Sequence, residues 1–469
     1  MSLAGRTAAV VVTWNKAARV RDCLRSLEAL PEQDFDVFVV DNASSDGTVE
    51  MVRRDFPRVE LLVNEENLGG AGGFNVGMRH VLDRGYGFVW LLDDDVTAEP
   101  GALGALRGVM AERPGCGVVG SKIYAAGTGL PFIQELGSFI DWETAGIRLN
   151  CNGTFDHGRI AETVEVDYVP ACSMLVRANA LVGAAALEGQ ALFDPSYFLY
   201  WDDIDFCHRL VRAGWQVLAC GESVVNHFSS GERAGTSLTI YYSLRNSLYF
   251  MTQHQTDRAA FERCARRRVE GAAERAALFR TLGREELVEA MERAVRDALA
   301  VVRGRVEDLA PVALSVESAE RFEAVDTLVL VAQRPHIFYQ CRPAVERAFG
   351  AERVGYVVDS RHVMDLDMME RSNLFGYPDG DFSAESPAMQ GYAGGQERVV
   401  LLGKDALFPN AVEAALSLGA PETLYMDFYG NMIPLTERTL DEHAAHAEAF
   451  RSRWTAQLEQ SDLLQAVGA

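Results

Sequence analysis

The sequence predicts an α/β protein: a mostly parallel sheet with helices on both faces, then a helical segment, then a second and smaller α/β unit. Three observations carry this. Over the first 125 residues, short apolar runs alternate with stretches of helical period, which implies parallel strands joined by crossover helices. From about 240 to 310 the chain is rich in Arg and Glu with helical spacing, and from about 320 the apolar runs return. A chain of 469 residues also exceeds what one ordinary core serves. The boundaries read from these shifts are 1–255, 256–318 and 319–469.

The elements follow in order. Residues 8–13 are an apolar β-branched run, and 16–30 an amphipathic helix. Residues 35–40 form a strand ending at Asp41, and Ser44-Ser45-Asp46-Gly47 starts a helix running to about 56. A strand at 59–63 is followed by Asn67-Leu68-Gly69-Gly70-Ala71-Gly72-Gly73, which opens a helix to about 83. Gly87-Phe88-Val89-Trp90-Leu91-Leu92 is a buried strand that ends in Asp93-Asp94-Asp95. Beyond it, strands are expected at 118–124 and 164–176, with an irregular stretch between them. A helix is expected at 202–213, and short strands at 215–219 and 224–227. In the last third, strands are expected at 326–332, 354–359, 398–402 and 423–426, helices at 343–349 and 410–418, and a loop at 372–396.

The composition narrows the function. A net charge of −23 argues against nucleic acid as a partner and against an anionic membrane as the main one. Eight cysteines are scattered without a paired motif, which suits buried thiols in a reducing compartment. No apolar run approaches the roughly 20 residues that span a bilayer. The expected location is cytoplasmic, with peripheral contact at the inner face of the cell membrane as an option. A homo-oligomer is compatible with the sequence.

Four constellations carry chemistry. Thr13-Trp14-Asn15 and Asp41 end neighbouring strands, where a carboxylate can accept from a ribose or base donor; turn residues and helix caps are the plainer reading. The glycines at 69–73 permit close backbone approach to a ligand at a helix N-terminus, or form a flexible turn. The spacing is neither a P-loop nor GxGxxG. Asp93-Asp94-Asp95 places three carboxylates at a strand end, where a divalent cation would offset their repulsion; a solvated acidic turn is the alternative. Trp201-Asp202-Asp203-Ile204-Asp205 opens a helix with three carboxylates, as a catalytic base or as favourable charge at the helix dipole. His227 ends a short apolar run, as a metal ligand or a structural histidine.

In this order, these segments together with Val40-Asp41-Asn42-Ala43-Ser44-Ser45-Asp46-Gly47-Thr48 resemble the family 2 inverting glycosyltransferases of GT-A fold. The likeness covers roughly residues 6–255. The Gly-rich stretch and the triplet are most similar to bacterial galactofuranosyltransferases and rhamnosyltransferases. The resemblance implies a Rossmann-like nucleotide-sugar-binding core using Mn²⁺ or Mg²⁺. Thr13, Asn15, Asp41 and Asn67 would contact the nucleotide, and Gly70 and Asn75 would lie near the donor sugar or diphosphate. Asp93, Asp95 and His227 would bind the metal, with Asp94 facing the donor sugar. Asp203 would be the general base, its proton affinity raised by Asp202 or Asp205. The implied donor is UDP-galactofuranose or dTDP-rhamnose, and the acceptor a cell-surface or lipid-linked glycan. A nucleotidyltransferase-like enzyme and a non-catalytic nucleotide-sugar-binding scaffold are the alternatives. The region from 319 lies outside the resemblance and is expected to be accessory.

Overall fold

A computed structural model of the chain describes residues 3–126, 131–181, 192–228, 236–306 and 309. Beyond these it describes 327–331, 345–346, 350, 354–359, 374–377, 398–402, 412, 416, 419–426, 432–461 and 463–464. The first elements are β1 (Thr7–Thr13), α1 (Ala17–Glu28), β2 (Phe35–Asp41), α2 (Thr48–Asp55), β3 (Glu60–Val63), α3 (Gly69–Asp83) and β4 (Phe88–Asp93). β2 and β4 flank β1 and run parallel to it, and β3 continues the sheet beyond β2.

All seven residues of β1 are buried, because both faces of the sheet are covered. Alternation of side chains sorts them into two layers. Ala8, Val10 and Val12 pack with Phe74 and Met78 of α3, while Ala9 and Val11 pack with Val20, Leu24 and Leu27 of α1.

The sheet continues through β5 (Val96–Ala98), α4 (Ala102–Glu112), β6 (Cys116–Ala125), β7 (Ile133–Glu135), the hairpin β8 (Ser138–Asp141) and β9 (Gly146–Leu149), β10 (Thr163–Glu165) and β11 (Ser173–Arg177). It ends with α5 (Asp202–Arg212) and β12 (Gln216–His227). The strand order is β10-β12-β6-β11-β4-β1-β2-β3, with β5 on β12 and β7 on β6.

Two expectations change here, and one helix is new. The run at 164–176 is two strands, since β10 pairs with β12 whereas β11 lies antiparallel between β4 and β6. Pro170 stands between them and offers no ladder donor. Conversely, the two short strands at 215–219 and 224–227 are one strand, β12, with a register shift between Cys220 and Val224. Helix α4 was not among the expected elements, although Leu103, Leu106 and Met110 keep helical spacing on its buried face; Gly104 and Gly108 lower its propensity.

The helical segment consists of α6 (Ser237–His254), α7 (Arg258–Thr281) and α8 (Glu285–Leu299). Thr236 caps α6 by accepting from the Thr239 amide, and Asp257 caps α7 by accepting from Ala259 and Ala260. A second sheet follows, formed by β13 (Thr327–Val331), β14 (Val354–Asp359), β15 (Leu374–Tyr377), β16 (Arg398–Leu402), β17 (Glu422–Met426) and β18 (Met432–Pro434). Its order is β15-β14-β13-β16-β17-β18, parallel except for β18. β15 falls inside the stretch expected to be a loop. The helices expected at 343–349 and 410–418 lie largely outside the described residues.

The chain then returns as α9 (Glu437–Glu459), which packs against α7. Phe450, Trp454 and Leu458 of α9 join the apolar cluster that includes Phe261 and Val269 of α7. Arg451–Glu274 at 3.0 Å and Arg266–Glu459 at 2.8 Å cross the same seam.

Part of the Gly-rich stretch is a packing device. A Cβ on Gly73 would lie 2.6 Å from Val12 Cγ1, and one on Gly77 would lie 2.3 Å from Val10 Cγ1. These glycines let α3 lie close on β1. Gly77→Ala is expected to destabilise the protein by about 1–3 kcal/mol through overpacking. A urea midpoint lowered at unchanged slope would show this, and an unchanged midpoint would mean that α3 has room to shift.

Candidate active site

β1 has β2 on one side and β4 on the other, so strand order reverses between β1 and β4. Ligands of open α/β sheets bind at the carboxyl ends of strands at such a point. The ends that meet there are Thr13 and Asp93, and Val12 stands in register with Asp93. A cavity of about 670 Å³ opens at this edge. Thr13, Asn15, Asn67, Gly70, Asp93, Asp94, Asp202, Asp203 and His227 all line it.

The β1–α1 and β2–α2 loops are tied together at the nucleotide end of the resemblance. Asn15, at φ 52°, accepts from the Ser45 amide at 2.7 Å, while its own amide donates to Ser44 Oγ at 2.8 Å. Asn67 accepts from the Gly69 amide at 2.9 Å and shapes the entry to α3. Thr13 Oγ1 donates to Asp94 Oδ2 at 2.9 Å, which fixes the middle carboxylate of the triplet.

Two expected residues stand elsewhere. Asp41 is fully buried behind the wall, accepting from the Ser44 amide at 2.8 Å; its neighbour Asn42 lines the cavity instead. Both ends of the Asn75 amide are bonded to the Phe193 backbone at 2.8 Å, so this side chain ties α3 to the core and is not among the lining residues.

Strand pairing assembles the acidic cluster. β5 follows the triplet directly and pairs with the end of β12, setting Val96 opposite His227. That register brings Asp93, Asp95 and His227 together, with one potential ligand atom from each lying within 4.8 Å of the others. His227 Nε2 is 3.3 Å from Asp95 Oδ1 and 4.0 Å from Asp93 Oδ2. Gln134 Nε2 lies 3.2 Å from His227 Nδ1 and holds the ring from behind. Lys16 forms an ion pair with Asp95 and lies 3.3 Å from Asp94 Oδ1. Two carboxylates and an imidazole at this spacing fit a divalent cation. The carboxylates suit Mg²⁺ or Mn²⁺, and the imidazole favours Mn²⁺.

The second acidic cluster opens α5. Trp201 caps this helix from the left-handed region at φ 71°, after Phe198 at 64° and Tyr200 at 63°. Each such residue costs on the order of 1–2 kcal/mol. Asp203 Oδ1 accepts from the Ile204 amide at 2.8 Å and Oδ2 from the Ala171 amide at 3.3 Å. Burial raises the Asp203 pKa to about 6, against the pull of these amides. Asp202 is pushed well above the carboxylate range, first by burial and then by the charge of Asp203.

Desolvation is the first cause of the raised proton affinity of Asp203, and Asp202 and Asp203, as adjacent carboxylates, oppose each other's ionisation. Asp205 plays no part in the cavity. Although burial opposes ionisation, bonds from His254 at 2.7 Å and Arg209 at 2.8 Å hold its pKa below the usual value.

Glu135 was not foreseen. It is buried on the cavity wall, its pKa raised by burial to about 7, with Ser138 Oγ donating to it at 2.5 Å. It comes from β7, in a stretch of sequence with no motif, and β6 carries that strand to the site. Lys16, Asn42 and Tyr168 line the cavity too; of these, Asn42 lay inside a recognised segment and Lys16 next to one, while Tyr168 had no such mark.

Residues 8–178 match the family described as Glycosyl transferase family 2, so this part of the chain is a glycosyltransferase domain of family 2. Over 252 residues, 50% of this chain, it is 26% identical to the N-acetylglucosaminyl-diphospho-decaprenol L-rhamnosyltransferase of Mycobacterium tuberculosis, 80% of which is covered. It is 27% identical to galactofuranosyltransferase GlfT1 of the same organism over 221 residues, 47% of this chain and 69% of that protein. Among solved structures, Staphylococcus aureus TarS 1–349 aligns with a TM-score of 0.41 and 15% identity, over 63% of this chain and 81% of that one.

Proposed function

We propose that the protein is a metal-dependent inverting glycosyltransferase. It moves a sugar from UDP-galactofuranose or dTDP-rhamnose to a cell-surface or lipid-linked glycan, with Asp203 as general base. The observation that carries this reading is one cavity lined both by members of a cation-sized donor cluster and by a half-buried carboxylate of raised proton affinity. The two sugars and a lipid-linked acceptor, implied by the resemblance, also stand in the names of the relatives, a rhamnosyltransferase acting on a diphospho-decaprenol and a galactofuranosyltransferase.

Asp93, Asp95 and His227 would hold Mn²⁺ or Mg²⁺. When bound, the ion would neutralise charge on the donor diphosphate. Thr13, Asn15 and Asn67 bind the nucleotide at the strand ends, and Gly70 leaves room beside Asp202 for the donor. Asp203 takes the proton of the acceptor hydroxyl as that oxygen bonds to the anomeric carbon. The nucleoside diphosphate leaves from the opposite face with the electron pair of the broken bond, so the configuration inverts.

The region from 319 is assigned an accessory role. No helix among the described residues is long and apolar enough to cross a membrane. We assign a peripheral approach to any membrane-anchored acceptor.

The test is release of free nucleotide from UDP-galactofuranose and dTDP-rhamnose, with Mn²⁺ and without acceptor. Slow hydrolysis of one donor that stops on chelation is the expected result. No hydrolysis of either, together with no Mn²⁺-dependent binding of UDP or dTDP, would overturn the reading.

A further inference from the structure

We propose that Asn246, oriented by Arg245, is a positioning residue for the transfer reaction: its amide holds the left-handed turn at 197–201 that delivers Asp203 to the cavity. The inference rests on the assignment of Asp203 as base. Phe198, Tyr200 and Trp201 all have positive φ, a conformation that side-chain-bearing residues keep only when their surroundings impose it. Within the turn the Leu199 amide bonds to Tyr197 O at 2.8 Å and the Phe198 amide to Pro195 O at 3.1 Å.

The rest of the restraint comes from α6. Asn246 Nδ2 donates to the carbonyls of Tyr197, Leu199 and Tyr200 at 2.9, 2.8 and 2.9 Å. Two hydrogens thus serve three acceptors on one short segment. The orientation of the amide is itself set. Arg245 Nε donates to Asn246 Oδ1 at 2.9 Å, so the NH₂ end faces the turn. The same guanidinium donates to Tyr197 O at 3.2 Å, to Ser196 O at 3.4 Å and to Gly304 O at 2.8 Å. Both side chains are buried, at 0% and 1% exposure.

The held turn touches both halves of the site. Phe198 O lies so near Gly69 that a Cβ there would come within 2.1 Å, and a Cβ on Gly70 would lie 3.6 Å from Asp202 Oδ2. The two residues after Trp201 are Asp202 and Asp203, so the angle at which the turn enters α5 sets the direction of the base.

The experiment compares Asn246→Ala, Asn246→Ser, Asp203→Asn and the native chain, using UDP-galactofuranose and dTDP-rhamnose with Mn²⁺. Asn246→Ala should lower kcat about 10²-fold, the scale of a misplaced reacting group, with donor KM unchanged. Asn246→Ser keeps one donor and should recover part of the loss. The acid limb of the kcat profile should move below its native position, because a displaced Asp203 is better hydrated. Among the described residues, the other titratable groups facing Asp203 are Asp202, Glu135, Tyr168, Cys172 and Cys207, and these are common to all the variants.

Unchanged kcat, or reduced kcat with an unmoved acid limb, would overturn the positioning role. So would failure of both Asn246 variants to fold, which would assign the amide to the core alone. Full turnover by Asp203→Asn would instead refute the base assignment, whatever the Asn246 variants do.

Discussion

Asp203→Asn is expected to lower kcat by about 10²–10⁴-fold, the range a positioned general base supplies, while Mn²⁺-dependent binding of UDP or dTDP stays as in the native chain. The amide fills the same space, and its one oxygen can keep the shorter bond, from the Ile204 amide at 2.8 Å, while the longer one from the Ala171 amide at 3.3 Å is lost, so the helical start of α5 should persist. What it cannot do is take a proton. The pH profile gives an independent check. Asp203 acts as a base only when ionised, and its pKa is raised to about 6, so the native rate should rise with pH through about 6 and then level. Equal loss of turnover and nucleotide binding in the variant would make Asp203 a binding residue rather than the base.

Chelation should bring transfer close to zero, and Mn²⁺ should restore it at lower concentration than Mg²⁺. The reason is the donor set. An imidazole sits among the carboxylates of Asp93 and Asp95, and nitrogen ligation favours Mn²⁺ over Mg²⁺. His227→Ala should raise the Mn²⁺ concentration for half-maximal activity about tenfold or more, since loss of even an outer-shell partner costs about 10–100-fold in metal affinity. It should also narrow the advantage of Mn²⁺ over Mg²⁺. Unaltered metal dependence in His227→Ala would make the histidine structural, and activity in excess chelator would remove the metal from the mechanism.

The legible parts of the site were those where local sequence and global position coincide. Thr13 and Asp93 end apolar runs, and in a parallel sheet the ends of adjacent strands must meet. His227 was assigned to the metal through the resemblance alone; what sets it beside the triplet is the antiparallel pairing of β5 with β12, a contact between residues 96 and 227 that no periodicity announces. Glu135, which no resemblance marked, was illegible, as β7 is three residues long and owes its place to β6.

The glycines were half understood. Gly70 lines the cavity, but Gly73 serves the approach of α3 to β1, and both uses leave the same mark in a sequence. Asn75 shows the converse limit, because a polar residue early in a helix looks alike whether it faces a ligand or a buried backbone.

The return of α9 to α7 makes the second sheet an insertion in the topological sense. The chain leaves the helical layer after α8, builds six strands, and comes back to finish the same layer. A boundary drawn once, near residue 319, would therefore cut through a shared unit. Truncation there should bare the apolar cluster around α7 that Phe450, Trp454 and Leu458 now cover, and leave Glu274 without Arg451. Excising only the sheet and rejoining the chain before α9 should leave that seam closed. The two deletions separate a tethered cargo from a structural brace: aggregation of the first alongside a soluble, active second would mark the sheet as a module that the glycosyltransferase domain carries but does not need in order to fold.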